Sequence, residues 1–160
     1  MCLRRAASAV LLLALAAPAA VTAADAPVYD PALAQRAGAD ARGMRHYVLV
    51  ILKTGPRRTP DGEARDRLFA GHFANIGRLA DAGRLVLAGP FGENAAGWRG
   101  LFLLAVEDVA EAQRLTATDP VIQSGEMEAE YHPWYGSAAV VLLPELHRRL
   151  VPPKPAEADR

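Results

Sequence analysis

His72 is a residue whose type and position could support chemistry. It lies in the stretch AGHFANIGRLADAG, which predicts one amphipathic helix. At about 100° per residue, His72 falls on the apolar arc of this helix, whose other members are Leu68, Phe69, Ile76 and Leu79. Asn75 lies at the edge of the arc. An unpaired buried polar group costs roughly 1–3 kcal/mol, so His72 is either a core histidine with a partner or part of a site.

Asp119 is the candidate partner. In the sequence TDPV it precedes Pro120, and this pattern is also typical of an aspartate that caps a short turn ending near Gly125. The capping role needs no function, but the two roles are compatible. A carboxylate beside an imidazole fixes its tautomer and raises its basicity, which suits proton transfer near neutral pH.

The stretch EYHPWYGSAA offers an aromatic wall for a small planar ligand. Trp134 and Tyr135 stand beside Gly136, and ordinary packing at a sheet edge is the alternative. With Asn75 and with Phe91 from a turn-rich connection, these two aromatic residues form the predicted substrate pocket.

Other familiar chemistry has no support in the sequence. No G-x-G-x-x-G opens a helix after a strand, and there is no Walker lysine, H-E-x-x-H or G-x-S-x-G pattern. We therefore expect no cofactor and no metal. The charges are balanced, with no basic patch and no charge block, which argues against a nucleic-acid partner.

The N-terminus has the pattern of a Sec-type signal peptide. Arg4 and Arg5 precede an apolar run, and Val21 and Ala23 have the spacing that signal peptidase requires, so we expect cleavage after about Ala23. The apolar run is shorter than the ~20 residues of a membrane span. Cleavage removes the only cysteine, Cys2, and leaves 16 basic and 18 acidic residues. We expect a periplasmic or secreted protein that has no membrane contact after processing.

The rest of the chain predicts a single α+β domain. Residues 24–43 read as a linker, 44–143 as the domain and 144–160 as a C-terminal tail. The predicted elements are a strand at 46–53, a helix at 63–82, strands at 84–88 and 98–106, a helix at 109–117 and an extended stretch at 127–135. A further strand is predicted at 138–143. The order βαββαβ is that of a ferredoxin-like fold with an antiparallel sheet.

Both faces of this sheet need a cover. The strand HYVLVILK is apolar at every position from Tyr47 to Leu52, whereas the helices of a ferredoxin-like fold cover only one face. A two-fold dimer that packs sheet on sheet would cover the second face, and so would residues 138–151 of the same chain. We favour the homodimer.

Together these residues resemble the YciI-like (YCII-related domain) proteins. The resemblance rests on H-x-x-N-I-x-x-L from His72, G-x-L-x-x-A-G-P-F from Gly83, T-D-P from Thr118 and H-P-W-Y-G from His132. It implies a ferredoxin-like fold, pairing into a dimeric α/β barrel, and a His–Asp site at His72 and Asp119. One branch of the family resembles muconolactone isomerase and includes a dehydrochlorinase that acts on chlorinated hydroxyquinols.

We therefore expect an exported, metal-independent lyase or isomerase that acts on a small cyclic or aromatic molecule. His72 is the predicted acid/base, and Asp119 orients it. Two alternatives stay open: a non-catalytic module that binds a ligand in the same cleft, and a structural dimer in which the His–Asp contact is only a buried hydrogen bond.

Overall fold

The computed structural model describes residues 28–152, and these form one layer of sheet with helices packed on it. The elements in chain order are α1 (Pro31–Ala37), β1 (Met44–Thr54), α2 (Glu63–Asp81), β2 (Leu85–Pro90), β3 (Trp98–Leu104), α3 (Val109–Thr116), α4 (Pro120–Gln123), β4 (Met127–Ser137), a 3₁₀ helix (Ala138–Leu142) and α5 (Leu143–Leu150). The predicted signal peptide and the end of the predicted tail lie outside the described residues.

The four strands make one antiparallel sheet in the order β2-β3-β1-β4. The predicted α+β, ferredoxin-like fold with an antiparallel sheet is confirmed. Strand β1 lies in the centre, which explains its apolar sequence on both faces. Its residues Val48, Val50 and Leu52 point to the helices and form the main core together with Leu79 of α2 and Phe102 of β3.

The chain's own C-terminal segment covers part of the second face. Tyr47, Val86, Leu103 and Ala105 form a smaller core there, packed against Val140 and Val141 of the 3₁₀ helix. This is the alternative cover that the sequence left open. The strand predicted at 138–143 is wrong, because Ser137 accepts a hydrogen bond from the Ala139 N–H and turns the chain into the 3₁₀ helix.

The two predicted irregular segments contain helices. Helix α5 begins at Leu143, the last residue of the predicted domain, and continues into the predicted tail, with Pro144 in its first turn. Helix α1 lies inside the predicted linker, capped by the Asp30 side chain and ended by Gly38 in the left-handed conformation. Arg45 donates from Nη1 to the Ala37 carbonyl at 3.0 Å and fastens α1 to the sheet. Such short helices depend on caps and packing for their stability.

None of the helices within residues 28–152 combines the length and the apolar character that crossing a membrane requires.

Candidate active site

The structure brings His72 and Asp119 into contact. The Nδ1 atom of His72 lies 2.8 Å from Oδ2 of Asp119, and both side chains are buried. Helix α2 supplies the histidine, and the junction before α4 supplies the aspartate. An ionised carboxylate only accepts hydrogen bonds, so the proton of this contact belongs to Nδ1 of the imidazole. In the neutral ring, the second nitrogen, Nε2, is then the hydrogen-bond acceptor.

Asp119 also caps α4, as its sequence context predicts. Its Oδ1 accepts from the Val121 N–H at 3.1 Å, and Pro120 occupies the first turn. Helices α4 and α2 approach closely at Gly71, where a Cβ would lie 3.1 Å from Cγ of Pro120, which is tighter than an ordinary van der Waals contact.

A polar chain continues behind the pair. Asn75 is buried and donates from Nδ2 to Oδ2 of Asp119 at 3.3 Å. Its Oδ1 accepts from Arg78 at 2.6 Å and from the Thr118 hydroxyl at 3.0 Å. Asn75 therefore holds the carboxylate from behind and does not line the cavity described next, which differs from its predicted role in substrate binding.

A cavity of ≈ 500 Å³ lies beside His72, between α2 and the strands β2 and β3. Its walls are mainly apolar and include four phenylalanine side chains, Phe69, Phe73, Phe91 and Phe102. The His72 ring stacks on Phe102 with the centroids 5.9 Å apart. Small residues of β2 and β3, Gly89 and Gly100 among them, leave space that larger side chains would fill. This volume is in the range of small-molecule sites.

The Nε2 atom of His72 is the ring nitrogen available to a molecule in this cavity. Within residues 28–152 it makes no hydrogen bond, and it is not among the fully enclosed polar atoms that lack a partner. Its opposite nitrogen is held by Asp119, so a bound molecule meets a basic nitrogen of fixed orientation.

Phe91 lines the cavity, whereas Trp134 and Tyr135, which were predicted to form the pocket with it, lie outside this cavity. Consecutive strand residues point to opposite faces of a sheet. Trp134 pairs with Tyr47 on the face away from the helices. Tyr135 lies near the C-terminal end of β4. There its hydroxyl donates to Asp40 and its ring packs on His46.

Arg99 is a cavity residue that the sequence did not reveal. The pairing of β1 with β3 shifts between Leu52, opposite Gly100, and Lys53, opposite Trp98, so Arg99 is the extra residue of a β-bulge. A bulge changes the direction of a side chain relative to strict alternation. Arg99 is the charged residue that lines the cavity, and only knowledge of the register could have identified it.

Glu126, at the same end of the sheet, is buried although it is an acid. Burial alone would raise the pKa of its carboxyl. The hydrogen bonds from the Thr59 N–H at 2.6 Å and from Arg65 at 2.7 Å outweigh this and hold the pKa below its usual value. Glu126 thus ties the loop before α2 to the start of β4.

Within the described part of the chain, no three His, Cys, Asp or Glu side chains are grouped so that they could hold a metal ion.

Comparison with known proteins identifies a family. The model of the YCII-related domain matches residues 44–135. A search of curated proteins finds no match. Among solved structures, the chain is similar to a 5-chloro-2-hydroxyhydroquinone dehydrochlorinase from Burkholderia phenoliruptrix AC1100 in complex with 2,5-dihydroxybenzoquinone. The identity is 18%, the match covers 55% of this chain and 92% of that one, and the TM-score is 0.42.

Proposed function

The chain belongs to the family of YCII-related domains, and from this premise we propose that it is an enzyme of the lyase or isomerase type. It transfers a proton to and from a small cyclic or aromatic molecule. The observation that carries the proposal is the His72–Asp119 contact of 2.8 Å, made by a ring that also lines an apolar cavity.

The chemistry follows from the two ring nitrogens. Nε2 of His72 accepts a proton from a C–H of the bound molecule, and the electron pair of that bond forms a new C=C bond. In a lyase, a leaving group on the adjacent carbon departs with its own bonding pair. In an isomerase, the double bond shifts and the proton returns to another carbon. Asp119 stabilises the imidazolium formed in either case.

The cavity indicates the shape of the substrate. Four phenylalanine side chains favour a flat, apolar body, since aromatic rings pack by offset stacking or edge-to-face contact. The volume of ≈ 500 Å³ accommodates a single substituted ring.

Proton exchange in D₂O tests the proposal without knowledge of the product. Planar hydroxyaromatics and cyclic enols are incubated with the protein, and loss of C–H signals is followed by NMR. Wild type should exchange at least one of them, and His72→Gln should lose about 10²–10⁴-fold of the rate. Equal rates in both proteins would refute a catalytic His72. Binding without exchange in either protein would favour the second candidate, a ligand-binding module.

We propose in addition that the protein forms a homodimer through the sheet face that its C-terminal segment leaves open. Leu87 and Trp134 support this, because both are large, apolar and about two-fifths exposed on that face. Analytical ultracentrifugation should show a dimer at micromolar concentration, and a monomer would contradict the proposal.

Export to the periplasm or beyond is likewise proposed, on the signal-peptide pattern of residues 1–23. Expression of the full chain with a C-terminal tag, followed by cell fractionation and mass spectrometry, should find a mature N-terminus at about Ala24.

A further inference from the structure

Arg99 places a positive charge at a cavity whose other walls are apolar. The guanidinium is half-buried, with about a quarter of the side chain exposed. Its Nη1 lies 3.8 Å from Oε1 of Glu126, which is beyond hydrogen-bond distance. Within residues 28–152, the side chain of Arg99 makes no hydrogen bond.

Glu126 is already satisfied by other groups. Arg65 donates to Oε1, and the Thr59 N–H donates to Oε2. One carboxylate charge is therefore shared between two arginines, and the nearer arginine takes its hydrogen bond. Arg99 keeps part of its charge and its donors for another partner.

The β-bulge makes this placement specific. The shift of pairing leaves Arg99 as the extra residue opposite β1, and from this position its side chain lines the cavity together with Leu101, Phe102 and His72. Arg99 is within ion-pair distance of Glu126 and partly exposed, so its charge is tolerated in the absence of a ligand, while its N–H donors stay open to an anion in the cavity.

We propose that the ligand of this cavity carries an anionic oxygen, a carboxylate or a phenolate, on its planar body, and that Arg99 binds it. This specifies the substrate class of the proposed function and rests on it. The anion anchors one part of the ring at Arg99, so that another part meets Nε2 of His72. Arginine suits this role because its planar donors match a carboxylate.

Two probes of nearly equal shape test the proposal. Benzoate and benzamide are titrated into the isotopically labelled full mature chain, and the shifts of the His72 ring and of the Arg99 side chain are followed by NMR. Wild type should bind benzoate about tenfold or more tightly than benzamide. Arg99→Gln should reduce this preference to about one and leave the affinity for benzamide unchanged.

Arg84→Gln is the matched control. It removes the same charge next to β2, from a side chain that pairs with Glu111 and does not line this cavity, so the preference should stay at the wild-type level. Arg99→Lys should keep part of the preference. If the melting curve shows that Arg99→Gln does not fold, Arg99→Lys replaces it as the test variant.

Several results would overturn the proposal: equal affinities of wild type for the two probes, a preference that survives in Arg99→Gln, or no binding of either probe. The proton-transfer proposal is tested separately. His72→Gln should keep the preference for benzoate while it loses exchange, so failure of either proposal shows in its own measurement.

Discussion

Replacement of Asp119 by asparagine separates its two roles. The carboxylate is fully buried and accepts hydrogen bonds from His72, Asn75 and the Val121 N–H. Asparagine has nearly the same shape but only one oxygen. If that oxygen still accepts from the Val121 N–H, the NH₂ group of the asparagine faces two other donors, the Nδ1–H of His72 and the NH₂ of Asn75. The ring then relieves one of these conflicts by moving its proton from Nδ1 to Nε2.

The size of the effect follows from these contacts. The variant loses a hydrogen bond to a charged group, worth about 1.5–3 kcal/mol, and retains a cap of equal quality, because Asn and Asp rank alike at N-caps. For a domain of this size, about 4 °C per kcal/mol corresponds to a fall in melting temperature of about 6–12 °C. Proton exchange should fall by about 10²–10⁴, because the basic nitrogen no longer faces the cavity.

The assay is ¹⁵N NMR of the His72 ring, combined with thermal denaturation. Wild type should show the proton on Nδ1, and Asp119→Asn should show it on Nε2. Asp108→Asn is the matched control, since Asp108 caps α3 through the Glu111 N–H at 2.7 Å and is exposed. That variant should be unchanged. An unchanged His72 tautomer in Asp119→Asn would refute the reasoning.

Three further predictions concern the surrounding structure. The pKa of Glu126 is lowered in the folded state from its usual 4.5. The ionised carboxylate therefore stabilises the fold fully above that pH, and this stabilisation is lost as the pH falls through the pKa of the folded state. The stability difference between wild type and Glu126→Gln, measured by urea denaturation, should therefore be largest at neutral pH and shrink in acid. Gly125 has a φ of 77°, so Gly125→Ala should lower the unfolding free energy by about 1–2 kcal/mol. Gly77→Ala, in α2 with open space around it, should raise it by about 0.5–1 kcal/mol; equal signs for the two glycines would contradict this. Arg78→Met should reduce proton exchange only a few-fold and stability by about 1 kcal/mol or less, because the exposed Arg78 donates to Asn75 and to the Thr118 hydroxyl rather than to His72 or Asp119.

The sequence predicts the parts of this protein that depend on local periodicity. The strands of the sheet, helix α2 and the cap at Asp119 follow from apolar patterns and from turn chemistry within a few residues. The His72–Asp119 contact spans 47 positions. It could be predicted because the residue types at its two ends have complementary chemistry and because the family resemblance joins them.

The features that the sequence did not predict depend on register or on tertiary contacts. Trp134 and Tyr135 are neighbours in the chain but lie on opposite faces of β4, so the pocket could not hold both. Arg99 lines the cavity because of a bulge, and a bulge has no strong signal in a single sequence. Helix α1 is stabilised by its caps and by Arg45, which lies outside the helix in β1.

The dual role of Asp119 explains why α2 directs an imidazole inward. The cap fixes the backbone before α4, and that backbone places the second carboxylate oxygen within hydrogen-bond distance of His72 and, at a longer distance, of Asn75. A leucine in place of His72 would leave Oδ2 with Asn75 as its one donor, and an underpaired buried charge destabilises the fold by several kcal/mol. The histidine therefore stabilises the junction of α2 and α4 even in the absence of a ligand.

It follows that His72→Leu loses stability as well as exchange, whereas His72→Gln, whose amide can still donate to Oδ2, should lose mainly exchange. Comparison of their urea midpoints distinguishes the structural role of the ring from its chemical role, and equal stability of the two variants would show that the donor at this position is dispensable.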